Sequence, residues 1–191
     1  VLLKGPVFIR SGATVTVSPG VTVYGEKASV AALIVDRGGK LNAVGTTDNP
    51  IVFTTDQTSP KRGDWGGLIL NGYSTQNVTG GIASGEGDTG EYGCETGSSD
   101  CNEADSSGTL QYVRVEYGGI QFSADNELNG IAFQATGSGT TVDHIQVNYS
   151  KDDCVEFFGG TTNMKYALLT ACGDDSLDWT NGWRGNVQFV V

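Results

Sequence analysis

A repeat of about 22 residues, each copy built from short apolar and β-branched runs, is the feature that most narrows what this chain can become. Residues 141–147, Thr-Val-Asp-His-Ile-Gln-Val, lie over residues 163–169, Asn-Met-Lys-Tyr-Ala-Leu-Leu, at an offset of 22. The same offset carries Asp152-Asp153 onto Asp174-Asp175 and Val155-Glu156-Phe157 onto Leu177-Asp178-Trp179. A further 23 residues carries Asn163-Met164-Lys165-Tyr166 onto Asn186-Val187-Gln188-Phe189, and an earlier copy begins at Thr109, 32 residues before Thr141. Runs such as Thr14-Val15-Thr16-Val17, Ala32-Leu33-Ile34-Val35 and Ile51-Val52-Phe53-Thr54 are bounded by Gly, Pro, Asn or Asp, which is strand and turn chemistry. No stretch of a dozen residues carries a helical stripe, so helix should be nearly absent.

A unit of this length with two or three short strands is one coil of a solenoid. Each strand then pairs with its equivalent one coil away at ~4.8 Å, and inward positions stack in ladders. The fold expected is all-β, a right-handed parallel β-helix over residues 1–191 as a single domain, with residues 73–108 as a loop insertion. Phe157 should align with Trp179, and Val147 with Leu169. A leucine-rich horseshoe lacks its Leu and Asn spacing here, and a β-sandwich is the structural rival.

Charge bears on partners. The chain has 22 acidic against 11 basic side chains and a formal charge of -11, which repels nucleic acid and anionic membrane surfaces. No apolar run approaches the ~20 residues of a membrane helix, so this segment should not insert. Because the chain starts at Val1 and its last repeat stops after one strand, a segment of a longer protein is expected. Neither end carries a capping helix. Continuation of the chain or end-to-end self-association into a filament would satisfy the exposed strand edges.

Four cysteines, Cys94, Cys101, Cys154 and Cys172, suit two disulfides, and three pairings are open on number alone. Cys94 and Cys101 lie seven residues apart in a Gly- and Ser-rich stretch that can turn back on itself, which leaves Cys154 and Cys172 as the second pair. Zinc is the competing reading, but the chain has no C-x-x-C and one imidazole, His144. Val142, Ile145 and Val147 place His144 on a strand, as a packed or solvent-facing side chain and not a member of a Ser-His-Asp set.

The passages Gly12-Ala-Thr-Val-Thr-Val-Ser-Pro-Gly-Val-Thr-Val-Tyr-Gly25 and Gly38-Gly-Lys-Leu-Asn-Ala-Val-Gly-Thr-Thr-Asp-Asn-Pro-Ile-Val-Phe-Thr54 resemble right-handed parallel β-helix domains of bacterial secreted and surface-anchored proteins. Asp64-Trp-Gly-Gly-Leu-Ile, Asp152-Asp-Cys-Val-Glu-Phe-Phe-Gly-Gly160 and Asp174-Asp-Ser-Leu-Asp-Trp179 resemble the same group. The resemblance implies a secreted or cell-surface location and assigns no reaction. Asp152-Asp153-Cys154-Val155 is also similar to the Asp-Asp-Cys motif of polygalacturonases, which share the fold. That family's Gly-His-Gly and Arg-Ile-Lys motifs are missing here, and His144 precedes Asp152 instead of following it.

Two acidic groups are candidates for chemistry. In the insertion, Glu86, Asp88, Glu91, Glu95, Asp100, Glu103 and Asp105 stand among glycines, either as hard oxygen ligands for Ca²⁺ or as a solvated loop pinned by Cys94 and Cys101. On successive coils, Asp152, Asp153, Glu156, Asp174, Asp175 and Asp178 form a ladder whose repulsion a cation, a shared proton or neighbouring Lys151 and Arg184 would relieve. Asp152, Asp153, Asp174, Asp175 and Asp178 are the candidate metal ligands; Asp152, Asp153, Asp174 and Asp175 are the alternative catalytic carboxylates. Turn-capping carboxylates explain the same pairs without either role. Trp179, Trp183 and Arg184 are candidate glycan-binding residues.

The functional expectation is a secreted or cell-surface structural or adhesive module that binds surface glycans or stacks into filaments, with Ca²⁺ as the candidate cofactor. The alternative is a polysaccharide-active hydrolase or lyase working through the stacked carboxylates.

Overall fold

The computed structural model describes residues 1–123 and 126–191. Each coil carries three strands, and equivalent strands pair in parallel along the axis. The first face is built from Leu2–Leu3, Thr22–Gly25, Ile51–Thr55 and the second halves of Gly108–Glu116, Thr141–Asn148 and Asn163–Thr170. The second face is a six-stranded sheet of Pro6–Ile9, Ala32–Val35, Leu68–Asn71, Ile131–Gln134, Val155–Phe158 and Leu177–Thr180. Thr14–Val17, Lys40–Val44, the first halves of the three long strands and Val187–Val190 make the third face. Among the described residues the helical segments are two 3-10 turns, Lys27–Ser29 and Glu86–Asp88.

Alternation along each strand sends every second side chain inward, where in-register partners form columns. One column runs Ile9, Val35, Leu70, Phe133 and Phe157, with Trp179 in register on the last coil but exposed; another runs Val23, Phe53, Val115, Val147 and Leu169. The expected pairings of Phe157 with Trp179 and of Val147 with Leu169 are both present.

The third and first faces meet at a corner that holds residues 18–21 and 45–50 on the first coils and narrows to one residue on the last four. Tyr112, His144, Tyr166 and Phe189 occupy it on successive coils, all with left-handed backbone (φ 49°, 51°, 56° and 60°). Left-handed geometry at a non-glycine residue costs about 1–2 kcal/mol. The four rings stack at 4.6, 4.5 and 4.9 Å between centroids, which offsets that strain by about 0.5–1.5 kcal/mol per pair. His144 is therefore held between two tyrosines, with Asp143 against its Nδ1.

The insertion between Asn71 and Gly108 is more than a solvated loop. Its hairpin, Ile82–Ser84 with Glu91–Gly93, lies on the outside of the second face. Tyr92 is buried edge-on against Phe158 at 6.0 Å, and its hydroxyl accepts from Asn181 Nδ2 at 3.1 Å. Asn71 Nδ2 donates to Thr89 O at 2.8 Å. The loop that follows Glu116 places Leu128 on the same face, over Ala32, Ile34, Ile69 and Ala132. Gly66 and Gly67 permit this close approach, because a Cβ at Gly67 would stand 2.3 Å from Asn129 O.

Both disulfides are formed as expected, Cys94–Cys101 within the insertion and Cys154–Cys172 between adjacent coils. Such bonds persist in oxidising compartments. No helix among the described residues is long and apolar enough to cross a membrane.

Candidate functional site

The turn entering the strand Val155–Phe158 is where the carboxylates converge. Asp153 is buried, and its Oδ1 accepts from the Asp175 amide at 2.8 Å, while the Cys154 amide donates to Asp175 O at 3.0 Å. The 22-residue repeat thus places each Asp-Asp pair directly over the next, and the Cys154–Cys172 bond fixes the two turns together. Strand alternation points Glu156 and Asp178 outward in register on the second face. Asp152, Asp153 and Asp174 form one group and Asp153, Glu156 and Asp178 another, each with ligand oxygens within 4.8 Å of one another. Asp153 belongs to both. Asp175 contributes its main chain to this arrangement.

Two insertions supply what the repeat could not announce. Asn129, itself buried, donates from Nδ2 to Glu156 Oε2 at 2.6 Å and leaves its Oδ1 without a hydrogen-bond partner among the described residues. Glu86, from the hairpin turn, and Glu127 are close enough to act electrostatically on Asp152 and Glu156. Burial pushes the Glu156 carboxyl up to about 8, against the pull of the Asn129 bond and with help from the charges of Asp153, Asp178 and Glu86. Burial likewise raises Asp153 to about 7, opposed by the Asp175 amide, and raises Asp152 to about 6 with Glu127 and Asp174 adding to it. Glu86 is raised by burial first and then by Asp152 and Glu127.

These shifts have a consequence for stability. In the unfolded chain Glu156 ionises near its ordinary value, so between there and about pH 8 the folded state holds a proton that the unfolded state has lost. Stability therefore falls as pH rises through that window. With chelator present, the melting temperature should be higher at pH 5 than at pH 9, with Glu156 accounting for about 2 kcal/mol after discounting for the solvent that reaches it. Glu156→Gln should flatten the pH dependence. A profile unchanged by that substitution would show that Glu156 is not the group responsible.

The three glycan-binding candidates occupy different settings. Trp183 stacks on Phe157 at 4.5 Å and donates from Nε1 to Thr162 O at 3.1 Å, which makes it part of the core column. Arg184 pairs with Glu103 at 2.9 Å and bonds Thr75 Oγ1 at 2.6 Å, so it ties the insertion to the last coils. Trp179 is 58% exposed, 6.3 Å from Trp183.

No curated protein and no solved structure matches this chain. A family model described as a pectate-lyase like beta helix domain matches residues 2–191. With three parallel faces, in-register core columns and that match over almost its whole length, the chain belongs to the family of pectate-lyase-like β-helix domains.

Proposed function

We propose that this chain is an extracellular glycan-binding β-helix module whose Asp152, Asp153, Glu156, Asp174 and Asp178 cluster holds a divalent cation of the Ca²⁺ type. The observation that carries the reading is the spacing of the oxygens. Ligands on one Ca²⁺ lie 2.3–2.6 Å from it and so at most about 5 Å from each other, and each group here converges within 4.8 Å. The Oδ1 of buried Asn129, which has no hydrogen-bond partner among the described residues, adds a neutral oxygen beside Glu156. The hairpin and Leu128 also cover part of the second face, which suits a rigid display surface. Two disulfides support secretion or surface exposure.

Titration with CaCl₂ after chelator treatment should raise the melting temperature. At a free concentration 100 times Kd the gain is about 2.7 kcal/mol, or roughly 5–10 °C for a chain of this size. Asp153→Asn with Glu156→Gln should abolish the rise. An unchanged rise in that double variant sinks the assignment. New reducing ends or unsaturated products from acidic polysaccharides would replace the binding role with an enzymatic one.

A further inference from the structure

Glu103 is bonded to four successive coils at the corner between the second and third faces. Its carboxylate accepts from the Ser74 and Thr75 hydroxyls, which follow the strand Leu68–Asn71, and from Arg184 Nη2 at 2.9 Å, three coils further along. Its carbonyl oxygen accepts from the Ser138 amide at 2.8 Å and from Thr161 Oγ1 at 2.6 Å, on the two coils between. The segment around it is anchored to its own coil. The Cys94–Cys101 bond precedes it, the Asn102 amide donates to Tyr73 O at 2.9 Å and the Tyr73 amide to Asp105 Oδ2 at 3.0 Å. Residues 73–77 and 101–105 therefore form a strap that runs along the solenoid axis, across the coils instead of around them.

The coil of residues 174–190 is held in two unlike ways. Where it starts, the Cys154–Cys172 bond and the Asp175 amide on buried Asp153 join it to the preceding coil. At the far corner, Arg184 bonds Glu103 and Thr75 Oγ1 with both charged side chains about half exposed, and Asn181 O accepts the Asn77 amide at 3.0 Å. An exposed ion pair holds far less firmly than a covalent bridge, so the two corners differ in how easily they part. Between them the coil is thinly packed. Leu177, Trp183 and Val187 are only partly buried, whereas Val155, Phe157 and Met164 on the preceding coil are fully buried. Elements with few buried apolar contacts are the ones that open locally, without global unfolding.

We infer that residues 176–190 form a hinged flap, latched by the strap through Glu103 and Arg184 and pivoting at the Cys154–Cys172 corner, which swings off the solenoid as one unit when the latch parts. Opening lifts Trp183 from the Phe157 ring, on which it stacks at 4.5 Å, and frees the edge of the strand Val155–Phe158, whose ladder partner is Leu177–Thr180. The insertion is thus the closing device for a coil distant from it in sequence, since Arg184 and Glu103 lie 81 residues apart. The flap depends on neither the glycan nor the cation reading.

Amide hydrogen exchange followed by NMR, in chelator, tells the two corners apart. Four amides bridge the flap and the body: Asn77 to Asn181 O, Gly159 to Thr180 O, Met164 to Asn186 O and Arg184 to Gly160 O. In Glu103→Gln and in Arg184→Gln these four should exchange about threefold faster or more than in the wild type. The two substitutions together should have no greater effect than the larger of them alone, because both remove one latch. Asp175, whose amide sits at the pivot, and Asp36 and Lys40, whose amides pair the first coils, should keep wild-type rates. Lys165→Gln removes an exposed ion pair with Asp143 away from the strap and should leave all seven amides unchanged. Adding Cys154→Ala with Cys172→Ala to Arg184→Gln should bring Asp175 into the fast group. Wild-type rates at the four bridging amides in both single variants overturn the latch. Acceleration shared equally with Asp36 and Lys40 is a global loss of stability and overturns the flap, and an Asp175 amide still protected without the disulfide overturns the pivot.

Discussion

Trp65→Ala should lower the stability of the domain by about 3–5 kcal/mol, a large share of the 5–15 kcal/mol typical of a folded domain. The indole is fully buried and touches three coils. It fills the space over Gly25, where a Cβ would come within 2.8 Å of the ring, and its Nε1 donates to Glu116 O at 2.7 Å across 51 residues of sequence. Its neighbour Asp64 is buried too, accepting from Lys27 Nζ at 2.7 Å and from the Lys61 amide at 2.8 Å. Removing the ring leaves a cavity in the first-face core and an orphaned carbonyl. Urea denaturation measures the loss. Trp65→Phe should cost less, since it keeps part of the volume and forfeits the hydrogen bond. A loss below about 1 kcal/mol in Trp65→Ala would mean that the surrounding coils collapse onto the space.

Replacing Cys154 and Cys172 together with alanine should cost about 3 kcal/mol, the loop-closure value for a bridge spanning about 18 residues. The bridge closes 18 residues between adjacent coils. Its effect on the site should be larger than that figure suggests, because the Asp153–Asp175 hydrogen bond and the carboxylate cluster sit on the two turns it joins. Calcium-induced stabilisation should weaken in this variant while Cys94→Ala with Cys101→Ala, in the insertion and away from those turns, leaves it intact. Equal calcium responses in the two double variants would separate the disulfide from the site.

How much of this was legible in the sequence depended on loop length. Between Val147 and Leu169 the coil is uninterrupted, so the 22-residue offset aligns core, corner and Asp-Asp turn at once. Phe53 pairs with Val115 across 62 residues, and no offset in the sequence reveals it because the insertion intervenes. The ladder of carboxylates was visible in the repeat. Glu127 and Asn129 were not, since a loop that folds back onto the second face leaves no periodic trace. Glu86 was visible as an acidic loop residue, but its approach to Asp152 depends on Tyr92 packing on Phe158. Trp183 reads like an exposed binding aromatic because the sequence cannot show that Phe157 on the previous coil needs a cover.

The one-residue corner at Tyr112, His144, Tyr166 and Phe189 restricts where this fold can acquire new segments. Where a stacked ring fills it the bend has no slack, because one added residue would break the ring column; the earlier coils, with no ring there, hold residues 18–21 and 45–50 at the same corner and keep both faces in register. Over the coils that carry the rings, added length sits at the other two corners, in the stretches 72–107 and 117–130. Both of those corners rim the second face, so additions at either arrive beside Glu156. In relatives that keep a ring at these four positions, the stacked corner should accordingly stay one residue long while the segments around the second face vary.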